Sequence, residues 1–161
     1  MAPISTPRPA SYPLLIAIYI ATLIGGIVLF YLLIYAAEKF FNLSYPDNSS
    51  MGFVLIMLAA MNVGSFWYNR EQVAPSSGRK WTLAFLIAIV TLVVQGAVFY
   101  LIASVLGELH NLAREIAGND GAMIAVVFAI LWVVELLLIR AAIWWGVRNA
   151  AKMAARKASR G

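Results

Sequence analysis

Four long apolar runs alternate with short polar segments along the chain. They cover about 14–37, 51–68, 81–105 and 123–147. A helix rising about 1.5 Å per residue crosses ~30 Å of hydrocarbon with roughly 17–25 residues, so each run is long enough, the second only just. The pattern therefore predicts an all-α polytopic membrane protein. We expect four transmembrane helices in an antiparallel bundle, with 1–161 as a single transmembrane domain.

The polar segments hold residues that begin helices or make turns. Turn-forming residues fill 46–50, 75–78 and 118–121, each directly before an apolar run. Ser11 and Pro13 suit the N-cap and first turn of the first helix. The first run exceeds the ~7–15 apolar residues of a signal peptide, so we expect a retained anchor. Short connections are typical of antiparallel neighbours.

Composition agrees with a membrane protein. Of the 161 residues, 63% are hydrophobic and 12% charged, with a mean hydropathy of +0.85. Soluble domains average roughly 45–50% apolar and about 25% charged residues, and a small one cannot bury so much apolar surface. Cysteine is absent, which excludes disulfides, thiol redox chemistry and cysteine metal sites. The single histidine, His110, excludes a multi-histidine metal or haem site within one chain.

The distribution of Lys and Arg predicts the orientation. Nine of the twelve lie in the N-terminal segment, the 69–80 loop and the basic tail 148–161, whereas the two remaining connections hold only Lys39 and Arg114. Positive charge concentrates on the cytoplasmic side of membrane proteins. We therefore expect both termini to be cytoplasmic, and the even number of spans agrees.

Glu135 and Arg140 place charge inside the fourth run. A charge at the bilayer centre costs at least ~2.5–3.5 kcal/mol, so Glu135 is either protonated or paired. It could carry a proton or cation, or hydrogen-bond to another helix or subunit. Arg140 lies about 140° around the helix from Glu135, which is poor geometry for a pair. Two alternatives for Arg140 stay open: reaching the cytoplasmic interface, or contacting a buried partner or second polypeptide.

Other polar side chains occupy similar depths in the remaining runs. Asn62 lies in the second run, Gln95 and Thr91 in the third, and Thr22 in the first. Together with Glu135 they could form one interior cluster. Such side chains usually form hydrogen bonds between helices, and each bond contributes ~0.6–2 kcal/mol. The alternative is that they line a path for a substrate.

Small residues recur four positions apart, which allows membrane helices to approach closely. The candidate helix-packing residues are Gly25, Gly26, Ala60, Gly64, Ala142 and Gly146.

The outer loop and the basic tail carry the remaining candidate sites. Around His110, apolar residues recur at helical spacing, so 107–116 is expected to form a short interfacial helix. Glu108, His110 and Glu115 could bind a metal ion weakly, but a solvated face is the better interpretation.

We expect the tail to extend the fourth helix and to lie near anionic lipid head groups. The attraction to these head groups is worth about 1 kcal/mol per basic residue. Its basic residues are Arg148, Lys152, Arg156, Lys157 and Arg160. Nucleic-acid binding is the alternative, but membrane topology already accounts for the charge, so no nucleic-acid partner is expected.

The stretch from 58 to 81 resembles a known family. Its residues are Leu58, Ala59, Ala60, Met61, Gly64, Phe66, Arg70, Pro75, Gly78 and Trp81. They resemble a family of small, uncharacterised four-helix proteobacterial inner-membrane proteins (the ABZJ-type family). The resemblance implies a four-helix fold in a bacterial inner membrane and no activity. The long outer loop and basic tail depart from that family, which leaves a lineage-specific subunit role open.

Two functions follow as expectations. The chain contains no phosphate-binding loop, nucleophile elbow, zinc-binding HExxH or dinucleotide fingerprint, so we expect neither an enzyme nor a cofactor. The favoured function is a non-catalytic accessory or structural subunit that packs against a larger membrane complex or itself. The alternative is a small oligomeric proton- or cation-coupled transporter or channel that uses Glu135.

Overall fold

The computed structural model describes residues 9–42, 50–105, 107 and 121–159. Four α-helices fill these ranges: α1 (Tyr12–Phe41), α2 (Ser50–Glu71), α3 (Ser77–Val105) and α4 (Gly121–Ala158). Each is long and apolar enough to cross a membrane, and each contains one of the four predicted spans. The all-α prediction is confirmed for the described residues, and the chain has the architecture of an integral membrane protein.

Two helices end at a residue in the left-handed conformation. Asn42 follows α1 with φ 54°, and its amide donates to the carbonyl of Glu38. Gln72 follows α2 with φ 56°, and its amide donates to the carbonyl of Tyr68 over 2.7 Å. A residue in this conformation turns the chain away from the helix axis while still bonding its last carbonyls.

The helices pack in an order that differs from their order in the chain. Helix α2 packs most extensively on α4 and next on α1, while α3 packs on α4 and more loosely on α1. Going around the bundle, the order is therefore α1, α2, α4, α3. The short connections suggested consecutive helices as neighbours, but the closest pair, α2 and α4, is not consecutive.

Glycine explains why α2 and α4 approach so closely. A methyl group added at Gly64 would lie under 3.0 Å from the backbone of Ile143, and one at Gly146 would lie under 3.0 Å from the backbone of Met61. The Ser65 hydroxyl lies 3.2 Å from the Gly146 carbonyl, across the same contact. Only residues without a side chain allow two helix backbones to meet in this way.

The buried core occupies one half of the bundle. Its largest members are Leu15, Tyr19, Val63, Trp67, Leu83, Ile87, Ile139 and Ile143. In the opposite half, large apolar side chains of α1, α3 and α4 are exposed, among them Leu32, Tyr35, Val98, Tyr100, Val126 and Phe128. The three helices therefore pack on their own chain over only part of their length.

Polar contacts link three helix ends near the buried half. Arg79, in the first turns of α3, donates to both carboxylate oxygens of Glu71 at the end of α2, at 2.8 Å each. The Ala10 amide, just before α1, donates to Glu71 Oε1 over 2.9 Å. The start of α1, the end of α2 and the start of α3 therefore meet at one end of the bundle.

Candidate intramembrane polar site

Glu135 is the first buried residue of α4, at the edge of the packed half of the bundle. Its side chain is 5% exposed, and Oε1 has no hydrogen-bond partner among the described residues. Trp132 and Leu136, on either side of it in α4, are half-buried against the core. The carboxyl group thus lies inside the chain rather than on a face that another subunit could reach.

A buried hydrogen bond joins α1 and α3 in the packed half of the bundle. The Tyr19 hydroxyl lies 2.8 Å from Thr91 Oγ1, and Thr91 Oγ1 lies 2.9 Å from the carbonyl of Ile87. Thr91 has one hydroxyl proton, which it donates to that carbonyl, so Tyr19 is the donor to Thr91. Glu135, on α4, is a further buried polar residue of the packed half. Helices α1, α3 and α4 therefore each contribute one buried polar group to the packed half of the bundle.

Tyr19 is the member of this site that the sequence analysis missed. It interrupts the first apolar run, but a tyrosine in a membrane helix is ordinarily an aromatic packing residue with a polar tip. Its depth within the first apolar run could have identified it from the sequence. Tyr19 lies seven residues after the start of α1 at Tyr12, so its hydroxyl needs a partner inside the bundle.

Arg140 does not pair with Glu135. Its guanidinium lies over the ring of Trp81, 4.8 Å from the ring centroid, and Nη2 donates to Ser77 Oγ over 3.3 Å. Both partners belong to the first turns of α3. Arg140 therefore has two contacts within the chain at the start of α3, while its Nε has no hydrogen-bond partner among the described residues.

The remaining polar candidates do not join Glu135. Asn62 donates from Nδ2 to Thr22 Oγ1 over 3.0 Å, which links α2 to α1, and the Asn62 side chain is exposed. Gln95 is also exposed, one helical turn beyond Thr91. The expected single cluster is thus divided, because Asn62 bonds to Thr22 and Gln95 is exposed.

A groove opens beside Thr91 and Gln95. It has a volume of ≈ 310 Å³ and lies between α1, α2 and α3, with Leu23, Leu55 and Val98 on its sides. Thr91 and Gln95 are the polar side chains on its lining. Since Thr91 accepts from Tyr19, the groove reaches one member of the buried site, while Glu135 does not line it.

The small residues expected to pack helices are placed differently. Ala60, Gly64, Ala142 and Gly146 are buried, and the two glycines form the α2–α4 contact. A side chain at Gly26 would approach Leu55 of α2 at 3.2 Å. Gly25 is exposed, with no described atom within 4 Å of the position of a side chain.

The basic tail is helical, as the sequence predicts, because α4 continues to Ala158. The side chains of Arg148, Lys152, Arg156 and Lys157 are exposed. Arg148 lies over the ring of Trp144, 5.1 Å from its centroid. Arg160 lies outside the described residues.

The chemistry available at the buried site is limited. The Tyr19 and Thr91 hydroxyls share one hydrogen bond, and the Glu135 carboxyl group can hold one proton. Within the described parts of the chain, no three His, Asp or Glu side chains lie close enough to hold a metal ion. The other metal candidates, Glu108, His110 and Glu115, lie outside those parts, as does the expected interfacial helix.

Comparison with known proteins adds no family. No protein-family model matches the chain, and neither a curated protein nor a solved structure matches it. The resemblance of the 58–81 stretch to the ABZJ-type family therefore stays a prediction.

Proposed function

We propose that the chain is a non-catalytic integral membrane subunit that packs against a larger membrane complex or against a second copy of itself. The observation that carries this proposal is the unequal packing of its helices. Over one half of α1, α3 and α4, large apolar side chains are exposed rather than packed on their own chain. Membrane helices associate through close van der Waals packing, so these faces suit a partner helix.

A small-residue face on α1 supports the same proposal. Ala21 and Gly25 are one turn apart and both exposed, so a second helix can approach the α1 backbone there. Gly64 and Gly146, by contrast, are already used between α2 and α4. Glu135 and Arg140 do not contribute to the proposed interface, because Glu135 is buried within the chain and Arg140 contacts Trp81 and Ser77.

The proposed setting is a bacterial inner membrane, with both termini cytoplasmic and anionic lipids at the cytoplasmic face. The excess of Lys and Arg in the N-terminal segment, the 69–80 loop and the tail supports this orientation. An antiparallel arrangement of successive helices is supported by Glu71, which bonds to residues at the start of α1 and of α3.

The test is native mass spectrometry of the tagged protein after gentle solubilisation from its own membrane. We expect a stoichiometric complex, either with other subunits or with further copies of the chain. Gly25→Leu should weaken that complex. Gly78→Leu is the matched control, because Gly78 is equally open but lies at the polar end of the bundle. A monomer under all solubilisation conditions would overturn the proposal.

The second candidate is an oligomeric proton- or cation-coupled transporter or channel. The observation that favours it is the buried Glu135 carboxyl group, whose Oε1 has no hydrogen-bond partner among the described residues. Its test is flux into proteoliposomes, where Glu135→Gln should abolish transport while the protein still folds. Glu38→Gln serves as the control, because Glu38 is exposed at the end of α1. Undiminished flux in Glu135→Gln rules this mechanism out.

A further inference from the structure

A polar groove lies where α2 and α4 end. Its volume is ≈ 920 Å³, and polar side chains of both helices line it: Asn69, Gln72, Asn149, Lys152, Arg156 and Lys157. The groove is open at the bundle surface, beside the ends of two apolar helices. It therefore lies where a membrane-spanning chain meets the layer of lipid head groups.

The lining of this groove is suited to an anion. Lys152 and Arg156 are one helical turn apart, so their side chains share a face of α4. The amides of Asn69 and Asn149 add neutral hydrogen-bond donors. All charged residues on the lining are basic. The nearest acidic residue along α2, Glu71, forms an ion pair with Arg79. Lys and Arg bind phosphate oxygens through charge-assisted hydrogen bonds.

An apolar groove adjoins the polar one. It has a volume of ≈ 230 Å³ and is lined by Val54, Met57, Leu58, Met61, Ala142 and Trp145. Met61 lines both grooves, so the polar groove and the apolar groove lie next to each other along the faces of α2 and α4. A free phosphate would use only the first part of this surface, whereas a lipid would use all of it.

We propose that the two grooves together bind one anionic phospholipid. Lys152 and Arg156 hold the head-group phosphate, and an acyl chain lies along Leu58 and Trp145. The charge of the polar groove selects an anionic head group, and the adjoining apolar groove selects a lipid over a soluble phosphate. This site does not depend on the proposed subunit role, because both grooves are formed within one chain.

The test compares lipid binding to the purified full chain in a neutral detergent. The probes are phosphatidylglycerol, phosphatidylcholine with identical acyl chains, and glycerol phosphate. Binding is counted per chain by titration with native mass spectrometry. Phosphatidylglycerol should bind at least about tenfold more tightly than phosphatidylcholine. Both lipids offer a phosphate group to the groove, but only phosphatidylglycerol carries the net negative charge that a basic groove favours.

Matched variants separate a defined site from general surface charge. Arg156→Gln should weaken phosphatidylglycerol binding by about fivefold or more, and Lys152→Gln should do the same independently. Arg148→Gln removes one equal charge from the same helix, but Arg148 lies on Trp144 and does not line the groove. Its effect should be much smaller than that of Arg156→Gln, because a charge outside the groove contacts no phosphate oxygen.

The acyl-chain part has its own pair of variants. Leu58→Trp fills the apolar groove from α2 and should weaken binding. Leu131→Trp should not, because Leu131 lies on α4 outside that groove. The two leucines are equally exposed, at 50% and 49%. Circular dichroism and size exclusion verify that each variant folds.

Three results would overturn the proposal. Equal losses in Arg148→Gln and Arg156→Gln would show a diffuse charge effect. Equal affinity for the two phospholipids would remove the head-group site. Glycerol phosphate binding as tightly as phosphatidylglycerol would identify a soluble phosphate as the occupant. Oligomeric state is read from the same spectra, so a failed subunit role and a failed lipid site are distinguishable.

Discussion

Gly64 of α2 and Gly146 of α4 lie at one helix crossing, and each faces the backbone of the opposite helix with no room for a side chain. Because the two backbones touch, the Ser65 hydroxyl comes within reach of the Gly146 carbonyl. This crossing joins the two helices that share the most extensive contact in the described chain. The stability of the packed half should therefore depend on these two positions.

Replacement of either glycine by alanine should destabilise the protein. A methyl group at Gly64 or Gly146 would overlap with backbone atoms, so α2 and α4 must move apart. Overpacking of this kind costs about 1–3 kcal/mol. Thermal unfolding in detergent, followed by circular dichroism, should show a lower midpoint for Gly64→Ala and for Gly146→Ala.

Gly25→Ala is the control for these variants, because no described atom lies within 4 Å of the added methyl group. Its midpoint should be unchanged or slightly higher, since alanine favours a helix more than glycine does. If all three alanine variants unfolded at the same temperature as the unaltered protein, the close crossing would be wrong.

The Tyr19–Thr91 bond should contribute measurably to the contact between α1 and α3. Tyr19→Phe and Thr91→Val each remove one hydroxyl while keeping the approximate size of the side chain. Interhelical hydrogen bonds of this kind couple by about 0.6–1.7 kcal/mol in double-mutant cycles. Unfolding free energies of the two single variants and the double variant, measured in one detergent, give the coupling directly. A coupling of zero would mean that the bond does not form.

Sequence alone predicted the four helices because apolar length is a local property. Each predicted span lies inside one observed helix, and α4 continues beyond the fourth span to Ala158, as expected for the tail. The tail continues the helix because Ala, Lys and Arg, which fill it, are strong helix formers. An apolar run therefore marks the part of a helix that spans hydrocarbon, not the whole helix.

The pairing of helices could not be read from the same pattern. Small residues four positions apart occur at 21–25, 60–64 and 142–146, and all three look alike in the sequence. In the structure, the pairs at 60–64 and 142–146 lie in the contact between α2 and α4, whereas the pair at 21–25 is exposed. Which of several equivalent faces meet depends on the packing of all four helices together, and no local signal encodes it.

The buried polar site was predicted only in part for a related reason. Glu135 was identified because a carboxyl group in an apolar run is costly wherever the helix lies. The polar groups buried near that depth depend on how the four helices pack together. Thr91 is buried and bonds to Tyr19, whereas Gln95, one turn beyond Thr91, is exposed.

The contacts of Glu71 should tie three helix ends together. Glu71→Gln keeps the shape of the side chain but removes the charge that accepts two hydrogen bonds from Arg79. Hydrogen bonds to charged groups contribute about 1.5–3 kcal/mol when shielded, and partial exposure of Arg79 lowers this to roughly 1–2 kcal/mol. Thermal unfolding at low salt should show the loss.

The size of this loss should fall at high salt, because ions screen a partly exposed pair. Glu38→Gln is the control, since it removes one carboxylate from an exposed position at the other end of α1. Equal effects of the two variants would mean that net charge, rather than the Glu71–Arg79 pair, sets the stability.

The stacking of Arg140 on Trp81 should contribute to the contact between α4 and α3. A guanidinium over an indole face is stabilised by about 0.5–2 kcal/mol, and the distance of 4.8 Å to the ring centroid is within range. Arg140→Gln should lose this energy together with the bond to Ser77. Trp81→Leu should lose the stacking alone, and Trp81→Phe, which keeps an aromatic face, should lose less. Unfolding free energies of Arg140→Gln, Trp81→Leu and the double variant give the coupling. An additive double variant would place the Arg140 guanidinium away from the ring, with its charge satisfied at the interface by water or lipid head groups instead.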